Sequence, residues 1–315
     1  MDWDREAKRR YERTSFHFKS TENPQELIIG ESRLLFPRQF RGQHGANRWL
    51  TIKHRMGKIH EPGLVAWILL ITDIFKDRQI TFYDIGALYG YFSAIFAMAL
   101  PHATIVAVEA NPRAARYIGE LISLNGLSNA CVKNAVLGQN DELKRFILSG
   151  FEIKESGGLF SDVNAMGLAE FTKDIGRGAF ASLGLNHLLW QNKRRVTLRE
   201  LSLLDVLQPY DPQCVEILKI DLEGDQAKML PPAEDELIRR SAIILMEFDD
   251  PPKLARFGKS NASLCSRFLQ AGYSLYWADH RSEDFEFVKL STLTRSQERN
   301  SLGVLLPPNI HSLAT

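Results

Sequence analysis

The sequence predicts an α/β fold, a doubly wound and mostly parallel sheet with helices on both faces. Two observations carry this. From about residue 64 onward, short runs of continuous apolar and β-branched residues alternate with helix-period segments, the pattern of strands buried on both faces. These runs also end in polar side chains, namely Asp84, Glu109, Asn134, Asp221, Glu223 and Glu247. Sheets of this class bind their ligands at the carboxyl ends of their strands.

The elements follow in order. LVAWILLI, from Leu64 to Ile71, reads as a buried helix segment and is far short of the ~20 residues that span a bilayer. ITFYDIG is the first strand, and YFSAIFAMAL is a helix that stops before Pro101. ATIVAVE is the second strand. Asn111 and Pro112 then open a helix in which Tyr117, Leu121 and Leu124 share a face and Gly126 marks the stop. NACVKNAVLG, VEILKIDLEG and SAIILMEF are the third, fourth and fifth strands. ASLCSRFLQAG is helical in period, and GYSLYWAD is the sixth strand.

Two regions depart from this alternation. Residues 1–60 carry 13 Lys and Arg against 7 Asp and Glu, and hold four of the eight histidines. They read as a partly irregular N-terminal extension, either solvated and packed on the main domain or facing an anionic substrate. Residues 61–315 form the main domain. Within it, residues 139–200 are an insertion rich in glycine (Gly157, Gly158, Gly167, Gly176, Gly178, Gly184), with Asp162, Asn164, Asp174, Trp190 and the basic run Lys193 to Arg195. An insertion this long is either an irregular excursion or a substrate lid.

Composition limits the function classes. Of 315 residues, 44% are hydrophobic and 24% charged, and the formal net charge is +1. That is the balance of a globular domain, with no global attraction to nucleic acid or to an anionic membrane. Cys131, Cys214 and Cys265 are isolated from one another, which predicts neither a disulfide framework nor a cysteine zinc site. The expectation is a cytoplasmic protein in a reducing compartment, and the first residues do not read as a secretory signal.

The chemistry-bearing residues cluster at the strand ends. In YDIGALYGYFS, Asp84 ends the first strand, and Gly86 and Gly90 flank a tight turn into the next helix. This is not the G-x-G-x-x-G pyrophosphate fingerprint. Glu109 ends the second strand 23 positions after Gly86, where an acid commonly accepts hydrogen bonds from ribose hydroxyls.

With YDIGALYGYFS, AVEANP, VKNAVLG, SLLDVL, ILKIDLEGD and ILMEF in that order, the chain resembles the FkbM-type family of S-adenosylmethionine-dependent methyltransferases. The string from Lys219 to Gly224 is the most specific part. The resemblance implies a seven-stranded methyltransferase sheet, S-adenosyl-L-methionine as cofactor, and O-methylation of a hydroxyl on a small molecule or glycan. It places Asp84, Gly86 and Gly90 around the amino-acid and sulfonium end of the cofactor, and Glu109 on its ribose. Ala110, Asn111, Asn134 and Ala135 fall near the adenine. Asp221 and Glu223 would face the methyl group and acceptor, with Lys219 on the same strand parity. The family usually reads D-x-G-A-N-x-G, and Leu88 stands here in place of the asparagine.

Two other functions fit the residues. One is a cofactor-binding protein of the same fold with impaired turnover, and the other is a nucleic-acid methyltransferase docking through its basic N-terminal segment. No spaced metal-ligand motif is present, although Glu247, Asp249 and Asp250 near Asp221 and Glu223 supply oxygen donors. His280 reads as a surface histidine or as an alternative base. A homodimer is compatible with the sequence.

Overall fold

The computed structural model describes residues 2–19, 25–37, 48–139, 142–149, 152–155, 193–293 and 301–313. The glycines of the insertion, with Asp162, Asn164, Asp174 and Trp190, lie outside them.

The chain opens with helix α1 (Trp3–Arg13) and the antiparallel strands β1 (Phe16–Lys19), β2 (Gln25–Ile29) and β3 (Ser32–Phe36), which form a separate three-stranded meander. Helices α2 (Arg48–Arg55) and α3 (Pro62–Ile74) follow. The main domain then alternates as expected: β4 (Ile80–Ile85), α4 (Tyr91–Ala99), β5 (Thr104–Glu109), α5 (Pro112–Leu124) and β6 (Ala130–Asn134). The third predicted strand is split. After Asn134 the chain turns into β7 (Val136–Leu137), which leaves the main sheet and pairs in parallel with β10 (Lys193–Leu201). With β8 (Glu142–Ser149) and β9 (Glu152–Glu155), these strands make a four-stranded sheet in the order β7-β10-β8-β9.

The remainder holds α6 (Leu203–Val206), β11 (Val215–Ile220), α7 (Gln226–Met229), α8 (Glu234–Arg239), β12 (Ile243–Phe248), α9 (Pro251–Ala255), α10 (Asn261–Gln270), β13 (Ser274–Ala278), β14 (Val288–Leu290), β15 (Ser301–Leu306) and α11 (Ile310–Leu313). The main sheet runs β14-β13-β15-β12-β11-β4-β5-β6. Strands β12, β11, β4, β5 and β6 are mutually parallel, whereas β15 lies antiparallel between β12 and β13. The sheet therefore has eight strands rather than seven, with β14 added at the edge beside β13. The order reverses between β4 and β11, and both strands end there at the same level. Crevices at such reversals hold ligands in open α/β sheets.

Side-chain alternation sorts each strand onto two cores. Ile80 and Phe82, Ile217, Ile243 and Leu245, and Tyr276 and Ala278 pack with Trp67 of α3, Phe96 of α4 and the N-terminal residues Trp3, Leu27 and Leu34. Tyr83 and Ile85, Leu218 and Ile220, and Ile244 and Met246 face the other way, onto Val206, Leu237 and Phe268. Extending the first parity to the carboxyl ends gives Asp84 after Phe82, Lys219 after Ile217, Glu247 after Leu245 and His280 after Ala278. The apolar core thus turns polar at one end of one face, and α3 presents its amino end to that same place.

Candidate active site

Lys219 is the centre of this polar end. It sits opposite Asp84 in the parallel register of β11 with β4, and both are buried. Its Nζ lies 3.3 Å from Asp84 Oδ1 and 3.5 Å from Asp221 Oδ2, and donates to the Gly86 carbonyl at 3.0 Å. The ammonium also stands 5.6 Å from the centre of the Phe92 ring. Burial alone would strip its proton, but the carboxylates of Asp84, Asp221, Glu61 and Glu247 outweigh that penalty and hold it charged. The other oxygen of Asp84, Oδ2, accepts from the Ser93 amide at 3.1 Å and the Ser93 hydroxyl at 2.6 Å. Asp84 has no solvent exposure; one oxygen braces α4, and the other faces Lys219 in an ion pair with no hydrogen bond among the described residues.

The glycine turn is shaped by its neighbours. Gly86 has φ 76°, and a Cβ there would stand 1.9 Å from the Asp221 carbonyl oxygen. The β4 and β11 turns are therefore in backbone contact, which only glycine permits. Leu88 is also left-handed, at φ 51°, a conformation that asparagine adopts more readily than leucine. The usual asparagine is thus explained by backbone geometry. The Leu88 side chain is 38% exposed.

Glu109 closes the turn from β5. Its two oxygens accept one amide each, from Leu88 at 2.8 Å and from Asn111 at 2.7 Å. Burial pushes its carboxyl up to about 7, against those two amides. A carboxylate has about four lone-pair positions, so both oxygens retain one for a further donor. Asn111 caps α5 by accepting from the Arg113 amide at 2.9 Å. The Asn134 side chain donates to the Glu109 and Ala110 carbonyls at 2.8 and 3.0 Å, and the Ala135 amide donates to Glu109 at 3.2 Å. Asn134 and Ala135 thus tie β6 to the turn after β5.

Asp221 and Glu223 do not share a strand face. β11 ends at Ile220, and Glu223 is left-handed at φ 53°. Its side chain is 76% exposed and ion-paired with Lys253. Asp221 remains inside, 26% exposed, beside Lys219.

Residues outside the motif strings complete the site. Glu61 precedes α3 with φ 48° and is buried. His60 Nε2 and His280 Nε2 lie 3.4 Å from its two oxygens, and Arg281 Nε lies 3.8 Å away. Burial acts against the Glu61 charge, but the two imidazoles hold its carboxyl well below the usual range. Arg281 also pairs with Glu247. Burial and the Asp221 and Glu61 carboxylates push Glu247 up to about 10, more than the guanidinium offsets. His280 is buried beneath the site rather than lying at the surface. No short motif marks Glu61 or Arg281. The period-two continuation of the strands would have marked Glu247 and His280.

Residues 84–275 match the family model of the methyltransferase FkbM domain, and the chain belongs to that family. It is an S-adenosylmethionine-dependent methyltransferase of the α/β class. No curated protein matches it. Among solved structures it is similar to precorrin-6y C5,15-methyltransferase from Geobacter metallireducens (12% identity, 76% of this chain and 85% of that one, TM-score 0.34). It is also similar to an O-methyltransferase from Bacillus cereus in complex with SAH (12% identity, 76% and 79%, TM-score 0.35), and to human methyltransferase 10 domain containing protein (9% identity, 77% and 81%, TM-score 0.37). No helix among the described residues is long and apolar enough to cross a membrane.

Proposed function

We propose that this enzyme methylates a hydroxyl group on a small molecule or glycan, with the cofactor seated between the Gly86 turn and Glu109. The observation that supports this most is the Glu109 carboxylate, which is buried, fixed by two amides and left with a lone pair on each oxygen for a ribose diol. Gly86 and Gly90 give the turn its close approach, and Ala110, Asn111, Asn134 and Ala135 frame the adenine side. When bound, the cofactor supplies a methyl group made electrophilic by its sulfonium.

The chain's own residues then do three things. The Gly86 turn and Glu109 orient the donor, and orientation lowers such barriers by ~7–11 kcal/mol at its limit. Asp221 holds the acceptor hydroxyl and takes its proton as the new oxygen–carbon bond forms, a role worth ~10²–10⁴-fold. Lys219 is a positioning residue that fixes Asp221 and the Gly86 carbonyl together. Glu223, turned to solvent and held by Lys253, is assigned no part in the chemistry.

The acceptor enters from the side of Arg281. A cleft of about 400 Å³ there is lined by Lys53, Lys58, Ile59 and residues 281–284. Three cationic side chains and the carboxylates of Glu283 and Asp284 line it, with Lys58 paired to Glu283, and the one positive charge left over supports the reading of the N-terminal segment as facing an anionic acceptor. Incubation with methyl-labelled cofactor and a panel of sugar phosphates, phenols and amines tests the proposal. Label in a hydroxyl acceptor is expected, and label confined to amines would overturn O-methylation.

A further inference from the structure

We propose that Glu61, Glu247 and His280 hold a divalent transition-metal ion beside the acceptor end of the site. The three come from separate elements: the amino end of α3, the carboxyl end of β12 and the residue pair after β13. One ligand atom from each lies within 4.8 Å of the other two, and all three residues are buried. Two ligands at about 2.1–2.2 Å from one ion stand at most ~4.4 Å apart. Small side-chain rotations therefore close the set.

Three features point to a cation of this class. His280 is only 1% exposed, and its Nδ1 has no hydrogen-bond partner among the described residues. Its Nε2 faces Glu61 at 3.4 Å, and a buried imidazole beside two carboxylates is a metal donor set. The surroundings are also rich in carboxylates: Asp84, Asp221, Glu61 and Glu247 gather around Lys219 and Arg281, with His60 and His280 beside Glu61. A cation among them would have oxygen ligands close at hand. Finally, the mixture of nitrogen and carboxylate donors suits Mn²⁺ or Zn²⁺ better than Ca²⁺ or Mg²⁺, which take oxygen ligands. A cation here lies next to Asp221 and would bind and acidify the acceptor hydroxyl. That role rests on the methyltransfer reading above, whereas the ion's binding does not.

The test is a titration of the full chain, first freed of metal by a chelator, with Mn²⁺. Free ion is followed by electron paramagnetic resonance, and S-adenosylhomocysteine is titrated into the same preparation. The expected result is one Mn²⁺ per chain, with affinity at least tenfold weaker in His280→Ala and in Glu247→Gln. Circular dichroism of each variant checks that it is folded, and Glu247→Gln preserves side-chain volume if the alanine variant fails. A folded chain that binds S-adenosylhomocysteine but takes up neither Mn²⁺ nor Zn²⁺ overturns the metal site and leaves the methyltransferase reading intact. So does uptake undiminished in both variants. Metal binding lost with the trio, in a chain that ignores S-adenosylhomocysteine, upholds the metal site while refuting the placement of the cofactor.

Discussion

At the scale of single residues, Leu88 and the pair Asp221 and Glu223 show how backbone conformation overrides sequence spacing. Leu88 sits at φ 51°, and a left-handed non-glycine residue costs on the order of 1–3 kcal/mol. Leu88→Asn should therefore raise stability by about 1 kcal/mol in a denaturant melt, with cofactor affinity preserved. A less stable variant would show that packing of the leucine outweighs its strain. Two residues' separation placed Asp221 and Glu223 on one face only as long as the strand continued, and it ends at Ile220. In single-turnover assays Asp221→Asn should slow methyl transfer by ~10²-fold or more, with cofactor affinity changed by less than ~1 kcal/mol. Glu223→Gln should stay within about threefold of wild type, since its side chain is exposed and bound to Lys253. Equal loss in both variants would restore Glu223 to the mechanism.

At the scale of elements, the parallel strands were legible because each is a short apolar run closed by a polar residue, as in ITFYDIG and VEILKIDLEG. β15 was not, although SLGVLL is an apolar run before two prolines, because its antiparallel place between β12 and β13 breaks the alternation of strand and helix. The meander β1–β3 was hidden for another reason. Its strands are four or five residues long, and it is held by contacts distant in sequence. Asn125, at the end of α5, exchanges hydrogen bonds of 2.7 Å with the Leu35 amide and carbonyl. His54 is part of the same packing, with its ring 4.7 Å from Phe18, 5.5 Å from Phe36 and 5.9 Å from Tyr91. Burial lowers it from 6.5 to about 4, and Tyr91 stays a neutral phenol because burial raises it. Between those pH values the unfolded chain binds a proton that the folded chain refuses, so stability falls as pH falls. Wild type should lose up to about 3 kcal/mol relative to His54→Leu between pH 6.5 and 4. Parallel stability curves for the two proteins would show that His54 titrates normally.

At the scale of the whole molecule, a methyltransferase sheet carries an N-terminal addition packed on one face and an insertion after β6. The N-terminal segment brings Lys53 and Lys58, and the residue before α3 brings Glu61, to the edge that holds Arg281. The insertion brings β10, whose Glu200 pairs with Lys228 of α7 just beyond β11. The cofactor side was readable from local strings because it is built from consecutive turns, after β4 and after β5. The acceptor side was not, because Glu61, Glu247 and His280 meet only when three distant segments fold together. The placement of the cofactor on Glu109 is tested most directly by calorimetric titration of the full chain with S-adenosylhomocysteine. Wild type should bind with a dissociation constant in the low-micromolar range or tighter, roughly −8 kcal/mol, and Glu109→Ala should lose ~1.5–3 kcal/mol. No heat and no thermal shift with wild type, or undiminished affinity in the variant, would contradict it.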